Sequence, residues 1–187
     1  MSEHFSESLL RGAKSGNLEQ VKQSWIQAED KYERDFLGHN ALTLAIIHDH
    51  FDIFKYLVDT GFVLDLVNDV YSNFIMLCGT TKTRYLSEHR GDDSFLGATA
   101  LICAVKKRNF DMVRYLVEKG ASVNLVDKEG YGALYYAIRK RCDKEMIEYL
   151  IREGSEVEVT CEQVDEYAEF HQDFTSYWSE LRRELEI

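Results

Sequence analysis

An internal repeat of 33 residues constrains the fold of this chain more than any other feature of its sequence. The segment Gly-Ala-Thr-Ala-Leu at 97–101 returns as Gly-Tyr-Gly-Ala-Leu at 130–134. The similarity continues as far as Gly120 and Gly154, with one residue inserted in the later copy. A more divergent copy covers residues 38–61. A fixed period of this length is typical of stacked helix–turn–helix units, which bury their cores against each other and leave a surface free for binding.

Each copy contains the signals of two helices joined by a short polar turn. In the copy at 94–126, Thr99 is placed to cap the first helix, and Leu101, Ala104 and Val105 share one helical stripe. The apolar residues within 112–117 lie on one face of the second helix, and Gly120 ends it in the left-handed conformation. The pattern therefore predicts helix pairs throughout.

This pattern resembles the ankyrin repeat, whose units read Asp-x-x-Gly at a finger, then Thr-Pro-Leu-His-x-Ala, Ile-Val-x-x-Leu-Leu and Gly-Ala-x-x-Asn. Residues 97–101 and 119–124 match these motifs closely, and the turn at 127–130 supplies an Asp-x-x-Gly. Residues 9–21 resemble the half-degenerate first repeat that caps such stacks. The resemblance implies an all-α ankyrin-repeat solenoid of about four repeats, at 5–34, 35–67, 94–126 and 127–159.

The segment 68–94 interrupts the repeat, because the spacing from Gly38 to Gly97 is 26 residues longer than one period. One interpretation is an eroded repeat, in which 74–77 is a stub of the first helix and 85–86 a stub of the second. The other is an insertion at a finger tip, since the segment falls where one repeat ends and the next finger starts. Such insertions map to loops on one face of a stack, often the binding face.

The chain after the last repeat, 160–187, is acidic and amphipathic. Residues 155–187 carry ten acidic side chains and two arginines, a net charge of −8 out of −11 for the whole chain. The segment Thr-Cys-Glu-Gln at 160–163 has the pattern of a capping box at a helix N-terminus, and aromatic residues recur after it near helical spacing. We expect helices that cap the stack. The alternatives are an autoinhibitor that occupies a basic site and a helix that binds a partner.

Two basic triplets lie one period apart, Lys106-Lys107-Arg108 and Arg139-Lys140-Arg141. The resemblance puts both at the end of a first helix, beside the concave groove, so stacking should join them as one basic ledge. Like charges placed side by side repel each other, so fold stability alone does not account for them. Either the ledge binds an anionic partner, or its side chains are solvated and pair with Asp111, Asp143 or Glu145.

The resemblance also carries partner-contacting positions in the fingers and groove onto this chain, residue by residue. Besides the ledge, these positions are Phe36, Leu37, His39, His48, Phe95, Leu96, Lys128, Glu129 and Tyr131. The apolar pairs 36–37 and 95–96 are unusual for solvated finger tips, so they are candidates for interface anchors. Alternatively, they lie under the segment 68–94.

The sequence contains no motif for catalysis, metal binding or membrane insertion. It has no Gly-rich phosphate loop, no His-Glu-x-x-His and no nucleophile elbow, and its four cysteines form no CxxC pair. His48 and His50 are two residues apart, so on a helix they would face different ways. No run of 18 apolar residues is present, and the polar first 20 residues do not predict a secretory signal. We therefore expect no cofactor, no metal, no membrane partner and a cytoplasmic location.

Together these features predict a non-enzymatic protein-binding module that captures a partner protein on its finger and concave face, with an acidic or anionic partner at the ledge. Nucleic acid is not expected, because the chain carries a net charge of −11 and nucleic-acid binders tend to be basic. The alternative is an effector or immunity-type inhibitor that binds and blocks one enzyme. A small enzyme on the same scaffold would need a cleft or cofactor that the sequence does not indicate. We expect a monomer.

Overall fold

The computed structural model describes residues 3–35, 37–66, 95 and 97–187. These residues form ten α-helices and no β-strand, apart from one isolated antiparallel bridge between Val126 and Gly132. The helices are α1 Glu3–Ser15, α2 Leu18–Gln27, α3 Ala41–Ile47, α4 Phe51–Asp59, α5 Ala100–Lys106, α6 Phe110–Glu118, α7 Ala133–Arg139, α8 Lys144–Arg152, α9 Val157–Phe170 and α10 Gln172–Leu185. None of these helices has the length and apolar character needed to cross a membrane.

The helices form two layers. Helices α1, α3, α5, α7 and α9 pack side by side in that order, because each contacts the next. Helices α2, α4, α6 and α8 each pack against the helix that precedes them in the chain and form the outer layer. The result is the stack of helix pairs that the 33-residue period predicts.

The short helices of the inner layer are buried on all sides. The first six residues of α3, α5 and α7 are each at most 3% exposed. The stripe predicted at Leu101, Ala104 and Val105 is therefore buried, but the burial extends around the whole helix. The reason is tertiary: α5 lies between α3 and α7 and also packs on α6, so its faces are covered.

The ends of the helices follow the sequence signals. Thr99 caps α5 as predicted, because its hydroxyl accepts a hydrogen bond from the backbone N–H of Ile102 at 3.3 Å. Asn40 caps α3 in the same way through Thr43 N–H at 2.9 Å. Gly120 follows α6 with φ +94°, the left-handed conformation predicted for it. Gly132 occupies the equivalent cap position of α7 and has no side chain to do the same.

The residue inserted in the last repeat lies in the turn between its two helices. Cys142 N–H donates to the carbonyl of Ala137 at 2.9 Å, as Asn109 N–H donates to that of Ala104 at 3.1 Å. Asp143 is therefore the additional residue, and it lengthens the turn while α8 still packs on α7.

The repeats at 35–67 and 94–126 are direct neighbours in the stack. Helix α3 packs against α5, and Asp59 accepts hydrogen bonds from Tyr115 at 2.6 Å and Lys119 at 2.7 Å. Asp65 accepts from both the backbone N–H and the hydroxyl of Ser122. This direct contact is what the insertion interpretation predicts. The segment 68–94 itself lies outside the described residues, so the choice between insertion and eroded repeat stays a prediction.

The last two helices close the end of the stack. Helix α9 packs on α7 and α10 packs on α9, burying Phe174, Trp178 and Leu181. The Trp178 indole donates to Asp165 at 2.7 Å, and Arg182 binds both oxygens of the same carboxylate.

The capping box predicted at 160–163 is wrong, because α9 already begins at Val157. Thr160 lies inside the helix, where its hydroxyl donates to the carbonyl of Glu156 at 2.7 Å. Thr and Ser often bond back to the preceding helical turn in this way, so the sequence pattern of a cap also occurs within a helix.

Candidate partner-binding face

The structure brings the two basic triplets together. Lys106 is the last residue of α5 and Lys107 is its C-cap, and Arg139 and Lys140 occupy the same positions on α7. The guanidinium of Arg108 donates to the backbone carbonyl of Lys140, which joins the two turns directly. The basic ledge therefore exists as one continuous surface at the ends of neighbouring inner helices.

The third residue of each turn connects its repeat to the next one. Asp49, Arg108 and Arg141 have φ values of +59°, +56° and +52°, a region that non-glycine residues rarely adopt. Asp49 accepts from the Asn109 side chain at 2.7 Å, Arg108 donates to the Lys140 carbonyl, and Arg141 donates to the Asp173 carbonyl at 2.9 Å. Arg108 and Arg141 thus hold the stack together and are not simply solvated cations.

Aromatic rings lie close to three cations of the ledge. The Lys106 ammonium is 3.9 Å from the centre of the Tyr136 ring, and the Arg139 guanidinium is 4.5 Å from that of Tyr167. The Arg141 guanidinium is 5.1 Å from the ring of Tyr177. Such contacts stabilise a cation by about 0.5–2 kcal/mol. They offset the repulsion between neighbouring cations and explain how the fold tolerates the ledge.

The three carboxylates that the solvated interpretation pairs with the ledge do not form these ion pairs. Lys107, Arg108 and Arg141 form no ion pair with any residue that the structure describes, and neither do Asp111 and Asp143. The same holds for Glu145. The side chain of Lys107 is exposed. The anion-binding potential of the ledge is therefore not cancelled by these carboxylates.

In the repeat at 35–67, His48 occupies the position next to the ledge. This residue is the C-cap of α3, the position that Lys107 holds on α5. Partial burial lowers the pKa of His48, and the neighbouring charges of Lys14, His50 and Lys107 lower it further. Lys14 and Lys107 therefore both lie near this imidazole, and Lys14 was not among the residues predicted from the sequence.

The expectation that His48 and His50 face different ways is wrong. The two residues flank the left-handed Asp49 in a turn, and their rings are nearly parallel with centres 6.2 Å apart. The expectation assumed a helix, whereas α3 ends at Ile47. Among the described residues, no group of three or more His, Cys, Asp or Glu side chains is arranged to hold a metal ion.

The fingers are held by aspartates at equivalent positions. Asp35 accepts hydrogen bonds from the backbone N–H groups of Leu37 and His39, both at 2.9 Å, and Asp127 accepts from those of Glu129 and Tyr131. Partial burial acts to raise the pKa of Asp35, but the hydrogen bonds from His39 outweigh it, so this pKa lies below its ordinary value of 3.8.

The remaining predicted finger residues differ in their surroundings. Tyr131 stacks on Tyr135 with ring centres 4.0 Å apart, and Phe95 is half-buried with the Lys106 ammonium 6.0 Å from its ring. Lys128 and Glu129 are exposed at the tip of the last finger. Phe36 and Leu96 lie outside the described residues, and so does the segment proposed to cover them.

Sequence reasoning missed the tyrosines that support the ledge. Tyr135 and Tyr136 are almost fully buried, and burial raises the pKa of both phenols above the ordinary value. Tyr136 also donates to Asp127, which ties the ledge to the finger. One signal was available: Tyr135 stands where the ankyrin motif has His, beside the basic triplet of the same helix.

The comparisons with known proteins agree with the fold. A family model described as ankyrin repeats, in three copies, matches residues 74–161. The chain belongs to the ankyrin-repeat family. The match begins within the segment 68–94, as an eroded repeat would predict, whereas the direct contact between α3 and α5 is what an insertion predicts.

This ankyrin-repeat chain is similar to proteins from several sources. It is 26% identical over 152 residues to an ankyrin repeat protein of Rickettsia felis, a match that covers 76% of this chain and 40% of the relative. It is 30% identical over 123 residues to an ankyrin repeat protein of Fowlpox virus, covering 63% of this chain and 21% of the relative. It is also 25% identical over 155 residues to an L-asparaginase of Dirofilaria immitis, covering 79% of this chain and 26% of that enzyme. The chain thus spans less than half the length of each of these relatives.

Proposed function

We propose that this chain is a non-enzymatic protein-binding module that captures an acidic segment of a partner protein at the basic ledge. Ankyrin repeats are in general protein–protein interaction modules, and the ledge gives this member a specific chemistry. The observation that carries the proposal is the state of Lys107, an exposed cation that has no ion pair among the described residues although it lies next to the second triplet.

The architecture suits stoichiometric capture. Arg108 ties its turn to that of Lys140, Arg141 ties its turn to α10, and the buried Tyr136 ring lies against the Lys106 ammonium. A surface that is ordered before binding loses little conformational entropy when the partner arrives. The Debye length is about 8–10 Å near physiological ionic strength, and added salt shortens it. Attraction between exposed charges therefore weakens, so the affinity for an acidic segment should fall as salt is added.

A charge-reversal pair tests this function. The variant Lys107→Glu with Lys140→Glu changes the ledge, whereas Lys55→Glu with Arg114→Glu makes the same change in net charge on helices α4 and α6 of the outer layer. Both variants should fold, which circular dichroism checks. A partner captured by the wild type and by the outer-layer variant, but lost from the ledge variant, supports the proposal. A partner retained by the ledge variant at equal affinity contradicts it.

The proposal includes the absence of catalysis by this chain. The similarity to an L-asparaginase covers 26% of that protein, and the ankyrin-repeat family is in general non-enzymatic. Release of ammonia from L-asparagine by the purified chain, above the rate of a buffer blank, would contradict this part of the proposal.

A further inference from the structure

The C-caps of three consecutive inner helices form a regular row. His48 caps α3, Lys107 caps α5 and Lys140 caps α7, and these helices contact one another in that order. Lys14, in the last turn of α1, lies close enough to His48 to influence its imidazole and extends the row toward the N-terminus. We call His48, Lys107 and Lys140 the cap row.

Helix packing sets the spacing of the cap row. The axes of α-helices that pack side by side lie about 8–10 Å apart. Equivalent positions on α3, α5 and α7 therefore recur at about the same interval, on one side of the inner layer. A ligand that meets each member of the row must present its charges with the same repeat distance.

Among regular peptide conformations, polyproline II has this repeat. It rises about 3.1 Å per residue with three residues per turn, so every third side chain points the same way at intervals of about 9 Å. A β-strand presents side chains on one face about every 6.6 Å, which does not match the row. In an α-helix, residues on one face are a similar distance apart only at i and i+7, so the side chains between them would not reach the cap row.

The surroundings of the cap row favour a peptide ligand in the extended polyproline II conformation. Aromatic side chains lie near Lys106, the residue that precedes Lys107: its ammonium is 6.0 Å from the ring centre of half-buried Phe95 and 3.9 Å from that of buried Tyr136. Grooves lined by aromatic rings are a recurring way of recognising polyproline II segments, because such segments are already extended before they bind. A duplex nucleic acid carries one charge per about 1.7 Å of its axis, a density far above that of the cap row.

We propose that the cap row binds a polyproline II segment of the partner that carries an acidic side chain at every third residue. The inference rests on the proposed function and narrows it, because it names the spacing of the acidic residues and the conformation of the segment. His48 contributes as a hydrogen-bond donor or a cation, and Lys107 and Lys140 contribute as cations.

Synthetic peptides test the spacing directly. Four repeats of Glu-Pro-Pro place a glutamate at every third residue, and an isomer with four consecutive glutamates followed by eight prolines has the same composition and charge. We expect the spaced peptide to bind about tenfold more tightly by fluorescence anisotropy, because each exposed ion pair contributes a few-fold at most. Lys107→Glu should remove this preference, whereas Lys55→Glu should retain it. Nuclear magnetic resonance should show a rise in the pKa of His48 when the spaced peptide binds, since a nearby carboxylate favours the charged imidazole.

Several outcomes would overturn the inference. These are equal binding of the two isomers, tighter binding of an alanine-rich helical peptide with glutamate at every seventh residue, and tighter binding of a twelve-nucleotide oligothymidylate. If both isomers bind equally and Lys107→Glu weakens both, the spacing inference fails while the acidic-partner function stands. If neither isomer binds and a captured partner is indifferent to the ledge variant, both fail.

Discussion

At Gly97 an added methyl group would collide with the next finger. The residue has φ +81°, and a Cβ would lie 2.6 Å from Lys128 Cγ and 3.0 Å from the backbone nitrogen of Lys128. Gly130 occupies the same place one period later with φ +85°, but a Cβ there would meet no heavy atom within 4 Å. The two glycines therefore separate the cost of the left-handed backbone from the cost of the close approach.

We predict that Gly97→Ala destabilises the protein more than Gly130→Ala does. Gly130→Ala should cost about 1 kcal/mol, the penalty of a left-handed non-glycine residue. Gly97→Ala should cost at least about 1 kcal/mol more, because the fingers must move apart. Urea unfolding of both variants provides the comparison. Equal losses of unfolding free energy would mean that the finger containing Lys128 moves away from position 97 at no cost.

Helix α7 lacks the side-chain cap that α3 and α5 have at their N-termini. Asn40 and Thr99 cap α3 and α5 through their side chains, whereas Gly132 cannot cap α7. Its φ of −92° and ψ of 179° suit any residue, and a Cβ would meet only Leu125 O at 3.9 Å and Val126 Cγ1 at 4.0 Å.

We predict that Gly132→Thr stabilises the protein by about 0.5–1 kcal/mol, through the new cap and the smaller entropy of the unfolded chain. Thermal and urea unfolding measure the gain. Gly132→Ala is the control, because alanine reduces the unfolded-state entropy without capping the helix. A gain from alanine as large as that from threonine would show that the cap contributes nothing.

At the scale of the element, the first finger depends on an ionised carboxylate. The hydrogen bonds from His39 hold the pKa of Asp35 below its ordinary value of 3.8, so the folded state favours the charged form. The stabilisation is therefore complete above the unfolded-state pKa and is lost as the pH falls through the lower folded-state value.

We predict that Asp35→Asn reduces the free energy of unfolding by about 1–2 kcal/mol at pH 7 and by progressively less below pH of about 4. Chemical unfolding at a series of pH values measures the difference from the wild type. Glu29→Gln is a matched loss of charge at an exposed site and should change stability by less than about 0.5 kcal/mol. A difference for Asp35→Asn that stays constant down to pH 2 would contradict the assignment.

The C-terminal cap has a buried and an exposed aromatic residue that can be compared. Trp178 is 3% exposed and its indole donates to Asp165, whereas Phe170 at the end of α9 is 79% exposed. We predict that Trp178→Ala costs about 3–5 kcal/mol and that Phe170→Ala changes stability by less than about 0.5 kcal/mol. Unfolding monitored by far-ultraviolet circular dichroism provides both values. A small loss from Trp178→Ala would mean that α9 and α10 are not part of the cooperative core.

The same contacts bear on the autoinhibitor interpretation of this segment. Helix α10 supplies the Asp173 carbonyl to Arg141, and its Glu184 forms an ion pair with Lys144 at 3.1 Å. Helices α9 and α10 together cover the core at the end of the stack, so deleting 160–187 would damage the fold as well as remove acidic charge. Substitutions of single acidic residues are therefore the better way to test inhibition.

For the whole molecule, signals that act within a few residues were sufficient to predict the repeats. The cap at Thr99, the left-handed Gly120 and the turn at Asp127 depend on local hydrogen bonds and backbone conformation, and the structure confirms each of them. Burial around the whole of α5 could not be read from its sequence, because it depends on the neighbours α3 and α7. The cap expected at Thr160 failed because the same residues also fit inside a helix.

Some features of the candidate site were likewise predictable from the sequence, and others were not. The 33-residue period was enough to predict that the two basic triplets adjoin, since equivalent positions in stacked repeats lie side by side. It could not predict which cations rest on aromatic rings, because these contacts join residues from different units, as Arg139 and Tyr167 do. Lys14 was missed since its neighbour His48 lies at an adjacent position of the next repeat, not at the identical one.

The left-handed turns give the stack a direction. Arg108 reaches the turn of the following repeat, and Arg141 reaches the first turn of α10, so each arginine is satisfied by the unit that comes after it. At the end of the series, α10 offers the Asp173 backbone carbonyl in place of another repeat. Duplicating the 33 residues from 108 to 140 would therefore lengthen the molecule by one unit and add three cations to the ledge, while both ends keep their existing neighbours. If the proposed function holds, the number of repeat units therefore determines the length of the acidic segment that the ledge can bind.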